Sequence, residues 1–438
     1  MADHDVVVVG AGIMGMTTAY HIKRNNPRKS VLLVDRYGGA GQGNTGRSNA
    51  MFRNTFSSTD NQVLSNSSID YYLHVQQELK EDLGLQQIGY LWLMSDEQLS
   101  SSEPHVREME RNGIKVEHLD RRLVTERLPG LATNFESDER GAMMNLASID
   151  GALFGPKCGR LDPDRLVRYY LREFLKLGGK VSFKTDVDAL VIGPRKRLGI
   201  DGEPLVWQDS VVEGVKVTGA TAETISADTV VLACGAWGNE LLGPVGIDGH
   251  VKSKKRQLFS ISARESPDLT GLIHTKGFNG LGLVPMVILP KSGVHFKPVD
   301  EENALWVACE DEANRAYIDV PDHDLEKYRA EPDYYERGVK PVLATYFPAF
   351  AAAKMKAMWA GLYSYNTLDY LPFVFRENNL IVVGGDSGSG IMKGDSLGRI
   401  ADAVYREAGE ALLFGDVPYR VSRLGFEKRE AEREKWVI

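Results

Sequence analysis

Three glycines and one acidic residue near the beginning of the chain have the spacing of a site that binds the phosphates of a nucleotide. Gly10, Gly12 and Gly15 form the pattern GxGxxG directly after a run of valines, and Asp35 follows about 20 residues after the last glycine. In this pattern the first glycine permits a tight turn, the second lets the backbone approach a pyrophosphate, and the third lets a helix pack closely against a strand. The acid would accept hydrogen bonds from ribose hydroxyls. The pattern predicts a dinucleotide site of the kind that NAD and FAD share, with a glycine turn that holds no ligand as the alternative.

A second loop that could contact the same dinucleotide follows Asp35. Residues 38–48 read GGAGQGNTGRS, a stretch rich in glycine and hydroxyl side chains. Such a loop could wrap a second set of phosphates or a flavin ring, whereas a plain NAD-binding unit more often continues into its next helix and strand. The loop therefore favours a flavin over a nicotinamide cofactor.

A third glycine-rich loop lies near the other end of the chain. Residues 379–384 are typical of a strand, residues 385–390 read GDSGSG, and the helical pattern that follows predicts a helix with Asp395 or Ser396 as its N-cap. A loop of small residues before a helix offers backbone N–H groups and the positive end of a helix dipole. We expect a second cradle for the same cofactor; a turn that merely closes the sheet is the alternative.

One arginine stands among apolar residues just after the second loop. Arg53 follows Ala50, Met51 and Phe52. An unpaired guanidinium is costly to bury, so a carboxylate must compensate its charge. That carboxylate belongs either to a substrate or to an internal Asp or Glu.

The remaining segments predict the elements that position these residues. Five short apolar runs predict strands, at 6–9, 30–35, 257–262, 294–299 and 304–309. The first two suit a parallel sheet, and the other three suit an antiparallel sheet with one face over the cofactor. His295 and Lys297 must point to the same face, because side chains alternate along a strand.

Two segments have no apparent part in the site. Residues 193–210 interrupt two strand patterns with glycine, proline and charge, which predicts an exposed insertion. Residues 426–436 carry a run of mixed charge, which predicts a solvated helix or a frayed end, with a docking element as the alternative.

Composition limits the class of protein. The 438 residues are 43% hydrophobic and 26% charged, with a net charge of −8, which excludes a disordered or fibrous chain and argues against nucleic acid as the main partner. Three widely spaced cysteines without a CxxC pair argue against a disulfide framework and a metal site. Neither a secretory signal nor a run of about 18 apolar residues occurs, so we expect a cytoplasmic protein without a transmembrane segment, while a peripheral membrane contact stays open.

The motifs resemble those of the superfamily of FAD enzymes that includes glycine oxidase, sarcosine oxidase and D-amino-acid oxidase. The similarity covers nearly the whole chain and follows the family's order of motifs. The matching stretches are 6–15 with 31–35, the NTGRSNAMFRNTF loop at 44–56, 89–93, 150–163, 184–187, 228–237 and 359–392.

The resemblance implies an α/β fold in which two domains interleave. One would be a Rossmann-like FAD-binding domain of the glutathione-reductase type, and the other a substrate domain built on an antiparallel sheet. The implied ranges are 1–80, 145–235 and 365–412 for the FAD domain, 81–144 and 236–364 for the substrate domain, and 413–438 for a charged tail.

The motifs and the resemblance together assign contacts with FAD along these loops. The residues are Gly10, Gly12, Ile13, Met14, Gly15, Asp35, Arg36, Thr45, Gly46, Arg47, Ser48, Val187, Ala233, Gly235, Trp237, Gly361, Gly385, Asp386, Ser387, Gly388, Gly390, Ile391 and Met392.

The resemblance also implies candidates for substrate binding and catalysis. Arg53 matches an arginine that lies beside the flavin and the substrate. A family lysine that meets the substrate carboxylate aligns with Met392, one residue before Lys393. The stretch from His295 to Lys297 resembles a strand of proline and dimethylglycine dehydrogenases, and Tyr363 could face the substrate, with a role in core packing as its alternative.

Two departures from the family pattern concern the flavin itself. Gly361 stands where sarcosine oxidases carry the cysteine that bonds to the flavin, which implies non-covalent FAD. By a loose strand alignment, Trp306 takes the place of a lysine that promotes reaction with oxygen, and loss of that cation would favour a dehydrogenase.

The resemblance implies an FAD-dependent oxidoreductase that oxidises the C–N bond of an amino acid or secondary amine. Its substrate would be a small carboxylated amine, and its electron acceptor would be oxygen, a quinone or a protein. One alternative is oxidation of a hydroxy acid or glycerol phosphate, for which Lys252, Lys254, Lys255 and Arg256 could supply phosphate-binding cations. A second alternative is a flavin-binding subunit of an electron-transfer complex.

Overall fold

The computed structural model describes residues 2–135, 138–218, 223–309, 316–427 and 429–436. The strands are β1 His4–Val9, β2 Val31–Asp35, β3 Met51–Phe52, β4 Tyr90–Met94, β5 Glu117–Asp120, β6 Gly151–Gly155, β7 Gly159–Arg160, β8 Lys180–Phe183, β9 Asp186–Pro194, β10 Ser210–Thr218, β11 Glu223–Leu232, β12 Val251–Ser262, β13 Met286–Ile288, β14 His295–Val299, β15 Ala304–Ala308, β16 Lys354–Asn366, β17 Phe373–Glu377, β18 Leu380–Gly384, β19 Glu410–Leu413 and β20 Val417–Arg420. The α-helices are α1 Ile13–Asn25, α2 Thr59–Gln77, α3 Asp96–Arg111, α4 Arg121–Arg127, α5 Glu139–Met143, α6 Pro163–Lys176, α7 Gly238–Leu242, α8 Pro267–Ile273, α9 Lys340–Tyr346 and α10 Gly390–Tyr405.

The first sheet is mostly parallel and carries the glycine motifs. Its order is β17-β18-β11-β1-β2-β8, with β9 and β10 attached to β11 as an antiparallel extension. The valines of β1 are almost fully buried, as expected for a strand covered on both faces. The loops after β1, β2 and β18 all leave the carboxyl edge of this sheet, where ligands bind in folds of this kind.

The second sheet is antiparallel except for one pair of strands. Its order is β16-β12-β15-β14-β13-β4-β6-β5. Of the described strand pairs in this sheet, only β13–β4 is parallel. The predicted strand at 257–262 lies within β12, and those at 294–299 and 304–309 match β14 and β15 to within one residue. The predicted fold class, a Rossmann-like sheet interleaved with an antiparallel one, is therefore confirmed.

Some details differ from the sequence expectations. Strand β6, inside the range 145–235 expected for the FAD domain, pairs with β4 and β5 of the second sheet. The expected tail begins inside the β19–β20 hairpin. The domain ranges stay predictions, and the insertion at 193–210 forms the exposed connection between β9 and β10, as expected.

Helix α10 begins five residues before its predicted N-cap. It starts at Gly390 and is preceded by Ser389, so Asp395 lies inside the helix. Asp395 is fully buried and binds His21 of α1 at 2.8 Å and the hydroxyl of Tyr170 of α6 at 2.9 Å. The prediction was wrong because the carboxylate of Asp395 does not cap a helix at the surface. It forms hydrogen bonds inside the protein that connect α10 with α1 and α6.

No helix in the part of the chain that the structure describes combines the length and the apolar character that a membrane crossing requires.

Candidate active site

The first glycine loop forms an open cradle at the N-terminus of α1. Gly10 has a φ of +102°, and a Cβ on Gly15 would lie 1.8 Å from the carbonyl oxygen of Gly10. Both positions therefore require glycine. The N-cap of α1, Gly12, has no side chain to cap the helix, and the hydroxyl of Thr45 from the second loop accepts a hydrogen bond from the N–H of Ile13 at 3.1 Å. The other N–H groups of the first turn can bind a ligand.

Asp35 holds this loop in place. Its two carboxylate oxygens accept hydrogen bonds from the backbone N–H of Ala11 at 2.6 Å and of Tyr37 at 2.8 Å. Burial raises the pKa of this carboxyl, against the effect of those hydrogen bonds. The neighbouring Arg36 pairs with Asp186 at 3.0 Å and lies over the ring of Trp237 at 5.8 Å.

The second loop is fastened to β16. The side-chain oxygen of Asn44 accepts a hydrogen bond from the N–H of Leu362 at 2.8 Å, and the indole N–H of Trp359 donates to the carbonyl of Arg47 at 3.1 Å. A Cβ on Gly361, between these two contacts, would lie 3.4 Å from the Cβ of Arg47. The loop and the strand thus meet at Gly361, the position where, by the sequence resemblance, sarcosine oxidases carry the cysteine that bonds to the flavin.

The third loop closes the cleft from the opposite side. Asp386 accepts a hydrogen bond from the hydroxyl of Ser364 at 2.6 Å, and burial raises the pKa of its carboxyl. A Cβ on Gly390 would lie 2.1 Å from this carboxylate, and Gly388 has a φ of +82°. These two glycines let the loop pass close to β16 and lead directly into α10.

The three loops line one cleft that contains about 1320 Å³ of empty space, part of it open to solvent. The predicted cofactor residues that line it are Gly10, Gly12, Ile13, Met14, Asp35, Arg36, Thr45, Arg47, Ser48, Val187, Ala233, Gly235, Trp237, Gly361, Asp386, Gly388, Gly390 and Ile391. Gly15, Gly46 and Gly385 lie behind the lining, while Ser387 and Met392 line a second cavity.

The second cavity adjoins the cleft and contains about 620 Å³ of empty space. Ser48, Asn49, Tyr363 and Gly388 line both spaces. The other residues of the second cavity are Met51, Arg53, Phe56, Asn61, Tyr90, Met286, His295, Tyr370, Ser387, Ser389, Met392 and Glu434. A ligand in this cavity would therefore lie next to one end of a ligand in the cleft.

Arg53 is buried in this cavity, as its apolar neighbours in the sequence predicted. It donates to the carbonyl of Thr55 at 2.6 Å and to the carbonyl of Trp436, and its guanidinium lies 4.0 Å from the ring centre of Phe56. The sequence could not indicate the contact with Trp436, which is 383 residues away.

His295 and Lys297 lie on the same face of β14, as predicted, but only His295 lines the cavity. The side-chain Nδ1 of His295 lies 2.9 Å from the carbonyl of Gly293, so it carries the proton and Nε2 presents a lone pair. Burial lowers the pKa of His295 to about 4. The imidazole is therefore neutral at physiological pH and can accept a proton or a hydrogen bond.

We expect His295 to make the stability of the protein depend on pH in a predictable direction. Because its pKa is about 4 in the folded state and about 6.5 in the unfolded chain, the unfolded chain binds more protons between these values. The contribution of His295 to the free energy of unfolding is therefore complete above pH 6.5 and is lost as the pH falls to 4. Urea midpoints of His295→Gln should thus depend less on pH in this window than those of the unmodified protein; parallel curves would contradict the prediction.

Lys297 lies beside the cavity. Its ammonium donates to the carbonyl of Asn49 at 2.5 Å and lies 4.4 Å from the ring centre of Trp306 on the neighbouring strand. Burial, followed by the charge of Arg160, lowers the pKa of Lys297 to about 7. Neither Lys297 nor Trp306 lines the cleft, so the idea that Trp306 replaces a cation beside the flavin, and with it the preference for a dehydrogenase, stays a prediction.

Lys393 is fully buried behind the cavity wall. Its ammonium donates to the hydroxyl of Ser389 at 2.5 Å and lies 4.8 Å from the ring centre of Phe56, while Met392 takes the place in the lining. Burial lowers the pKa of Lys393 to about 7. In this arrangement Lys393 supports Ser389 rather than facing the cavity.

The three cysteines lie on other segments than β16, which carries Gly361. Cys158 is buried against Thr55, Cys309 donates to the carbonyl of Ser292, and Cys234 lies near β1, where it contacts the carbonyl of Val9 at 3.6 Å. Burial raises the pKa of Cys234, the one that lines the cleft, to about 12, so its thiol is not reactive.

The cleft has the chemistry that a dinucleotide with a flavin ring requires. Two of its buried polar atoms, one guanidinium nitrogen of Arg36 and the amide oxygen of Asn49, have no hydrogen-bond partner within the described residues. Together with the glycine cradles at the starts of two helices, they fit a long ligand with a pyrophosphate in its middle and a polar ring at one end.

Comparisons with known proteins agree with this geometry. A family model described as DAO, FAD dependent oxidoreductase, matches residues 5–403. FAD-dependent oxidoreductase domain-containing protein 1 of Xenopus laevis is 25% identical over 418 residues, 92% of this chain and 79% of that protein. Sarcosine oxidase subunit beta of Arthrobacter sp. is 26% identical over 257 residues, 58% of this chain and 56% of that subunit.

Solved structures share the fold. L-proline dehydrogenase from P. horikoshii has a TM-score of 0.73 at 18% identity over 97% of both chains. Glycine oxidase from Geobacillus kaustophilus has a TM-score of 0.68 at 19% identity, over 93% of this chain and 96% of that one. With a matching family model over most of its length and a cleft that fits the cofactor, the chain belongs to the family of FAD-dependent oxidoreductases.

Proposed function

We propose that the protein oxidises the C–N bond of an amino acid or secondary amine that carries a carboxylate. The observation that carries the proposal is the second cavity, where Arg53 and the neutral His295 face one small space beside the cleft for FAD. FAD, when bound, accepts a hydride from the carbon next to the nitrogen. The chain itself must bind the substrate, orient it and enclose it.

Each of these tasks has a candidate residue. Arg53 provides a guanidinium for the substrate carboxylate, a pairing that is strengthened by burial. The Nε2 of His295 can accept a hydrogen bond from the substrate nitrogen and orient it. With a pKa of about 4, this imidazole is too weak a base to hold the proton of an ammonium, so the substrate must bind as the neutral amine, whose lone pair is available when hydride leaves. The ring of Tyr363, which lines both the cavity and the cleft, stands where the substrate would meet the flavin, and Tyr90 adds a further aromatic ring to the cavity wall.

The names of relatives support an amine substrate. They include sarcosine oxidase subunits and peroxisomal sarcosine oxidase among the sequences, and glycine oxidase and L-proline dehydrogenase among the structures. All four act on small amines that carry a carboxylate.

The lysines that could have favoured a phosphate substrate are dispersed. Lys252 pairs with Asp319 at 3.3 Å, and Lys255 pairs with Glu331. Arg256 lines the cleft for FAD, and none of the four cations is among the described residues that line the second cavity. Glycerol phosphate is therefore the weaker candidate.

Anaerobic reduction of the bound flavin by a substrate panel tests the proposal. The panel contains carboxylated secondary amines, amino acids, hydroxy acids and glycerol phosphate, and bleaching of the flavin absorbance reports turnover. We expect bleaching by at least one carboxylated amine. Bleaching by the hydroxy compounds alone would favour the alternative substrates, a hydroxy acid or glycerol phosphate. A flavin that no compound of the panel reduces would favour an electron-transfer subunit.

The class of electron acceptor is tested separately. Stopped-flow measurements compare the rates at which oxygen and a quinone dye reoxidise the bleached enzyme.

We expect the flavin to be bound without a covalent link. Gly361 offers no thiol, and the cysteines lie elsewhere, so acid precipitation of the purified yellow protein should release FAD into the supernatant. Absorbance of supernatant and pellet checks this, with a covalent flavoprotein as control. Flavin that stays in the washed pellet would overturn the expectation.

A further inference from the structure

The charged segment 429–436, which we call the tail segment, is built into the second cavity. The sequence predicted a solvated helix or a frayed end, but the segment contains no helix in the residues described, and Glu434 is only 3% exposed. The expectation of a solvated helix or a frayed end was therefore wrong, whereas the alternative, a docking element, agrees with the burial of Glu434 among its hydrogen-bond partners.

Glu434 is bound at the N-terminus of α2. One of its oxygens accepts hydrogen bonds from the N–H and hydroxyl of Ser57 at 2.9 and 2.7 Å and from the N–H of Trp436 at 2.9 Å. The other accepts from the N–H and hydroxyl of Ser58 at 3.1 and 2.9 Å and from the amide of Asn61 at 3.0 Å. Six donors saturate the carboxylate, so it serves as an anchor and not as a ligand for a substrate amine.

This anchor is held as an anion. Burial alone would raise the pKa of the Glu434 carboxyl, but the charge of Arg53 and the hydrogen bonds lower it to about 2. The positive end of the α2 dipole acts in the same direction. The tail segment is therefore fixed in place throughout the physiological pH range.

A second set of contacts ties the tail segment to the opposite wall of the cavity. Arg429 binds the carboxylate of Asp369 at 2.6 and 2.8 Å, and the N–H of Glu434 donates to the carbonyl of Asp369 at 3.0 Å. Arg433 donates to the hydroxyl of Tyr370 at 2.9 Å. Tyr370 lines the cavity with a φ of +64°, a conformation that costs a non-glycine residue energy and needs support from its surroundings.

The end of the described segment covers the arginine. The carbonyl of Trp436 accepts a hydrogen bond from Arg53. The centre of the Trp436 ring lies 5.4 Å from the centre of the Trp92 ring. The same segment thus contacts the α2 wall, the Tyr370 wall and the candidate carboxylate-binding residue.

We propose that the tail segment closes the substrate cavity and that Glu434 is the residue that positions it. Closed in this way, the cavity admits small amines and excludes those with large substituents on nitrogen. The limit on substrate size rests on the proposed function. The closure of the cavity does not, because it follows from contacts within the chain.

The test compares the FAD-loaded Glu434→Ala protein with a control variant, Glu432→Ala. Glu432 lies on the same segment with its side chain exposed, so the two variants change the charge equally. Hydrogen exchange of residues 430–436 reports release of the segment, because the N–H groups of Glu434, Lys435 and Trp436 all donate hydrogen bonds in the closed arrangement. Acrylamide quenching of the flavin fluorescence reports whether the cavity opens.

We expect Glu434→Ala to raise exchange in the segment at least tenfold and the quenching constant at least threefold, with no change in Glu432→Ala. Unchanged exchange, or faster exchange with unchanged quenching, would overturn the closure. If Glu434→Ala does not yield folded protein, Glu434→Gln is judged by the same criteria, since it keeps the side-chain volume but turns one of the two acceptor oxygens into an NH2 donor that faces three other donors.

Substrates then test the size limit. For the best amine of the panel, Glu434→Ala should raise kcat/KM for an N-benzyl homologue relative to the parent amine at least tenfold, mainly through KM. An unchanged ratio would overturn the size limit. If the panel yields no amine substrate, the proposed function fails, while exchange and quenching still decide the closure.

Discussion

Replacement of Arg53 by methionine is expected to lower kcat/KM for carboxylated amines by about 30- to 5000-fold, which corresponds to about 2–5 kcal/mol of transition-state binding. Methionine keeps most of the volume among Phe56 and Trp92 but removes the guanidinium that would pair with the substrate carboxylate. In a buried site a carboxylate left without its partner cannot be compensated by water. Steady-state kinetics with a carboxylated amine and an otherwise similar amine without the carboxylate measure the effect.

The comparison between the two amines separates the role of Arg53 in binding from its role in holding the tail segment. Loss of the contact with Trp436 should affect both amines alike and should resemble Glu434→Ala, whereas loss of a carboxylate partner affects only the carboxylated amine. FAD content should stay the same, since Arg53 does not line the cleft. A change of less than a few-fold in the ratio of the two kcat/KM values would show that Arg53 has a structural role alone.

The parts of the site that could be predicted from the sequence are those in which the backbone dictates the residue type. Gly10 and Gly15 are required by a positive φ and by a contact that leaves no room for a Cβ, and these constraints are local. Asp35 follows from the length of one strand–helix–strand unit. The two sheets could likewise be predicted from apolar runs, because burial on one or two faces determines the periodicity of a strand.

The parts that could not be predicted depend on contacts between distant segments. Glu434 meets Ser57 across 377 positions, and nothing in a run of alternating charges distinguishes it from the exposed Glu432. Helix α10 was expected to begin at Asp395 because a short acid before an apolar pattern is typical of an N-cap. Only the packed neighbours of Asp395 show that the same acid is an internal partner for other helices.

Those neighbours make Asp395 the residue where we expect the largest effect on stability. Its carboxylate accepts hydrogen bonds from Tyr170 and from the ring of His21, and it pairs with Arg399 at 2.6 Å. The charge of the partners outweighs burial and lowers the pKa of Asp395. Asp395→Ala would leave the Arg399 charge and two polar groups without their partner in the core, so we expect a loss of about 3–5 kcal/mol in the free energy of unfolding. Urea denaturation of the protein without FAD measures it.

The location of Asp395 connects this loss to the cofactor. His21 belongs to α1, whose first turn forms the phosphate cradle, and Asp395 belongs to α10, which begins at the third glycine loop. Because the pair joins the two helices that hold opposite sides of the cleft, Asp395→Ala should also weaken the binding of FAD, so a given concentration of added FAD should stabilise the variant less than the unmodified protein. Glu103→Ala serves as control, since it breaks an exposed pair with Arg107 one helical turn away, which contributes only about 0.3–0.5 kcal/mol. If Asp395→Ala were no more destabilising than Glu103→Ala, the buried cluster would not be what holds the two glycine loops in register.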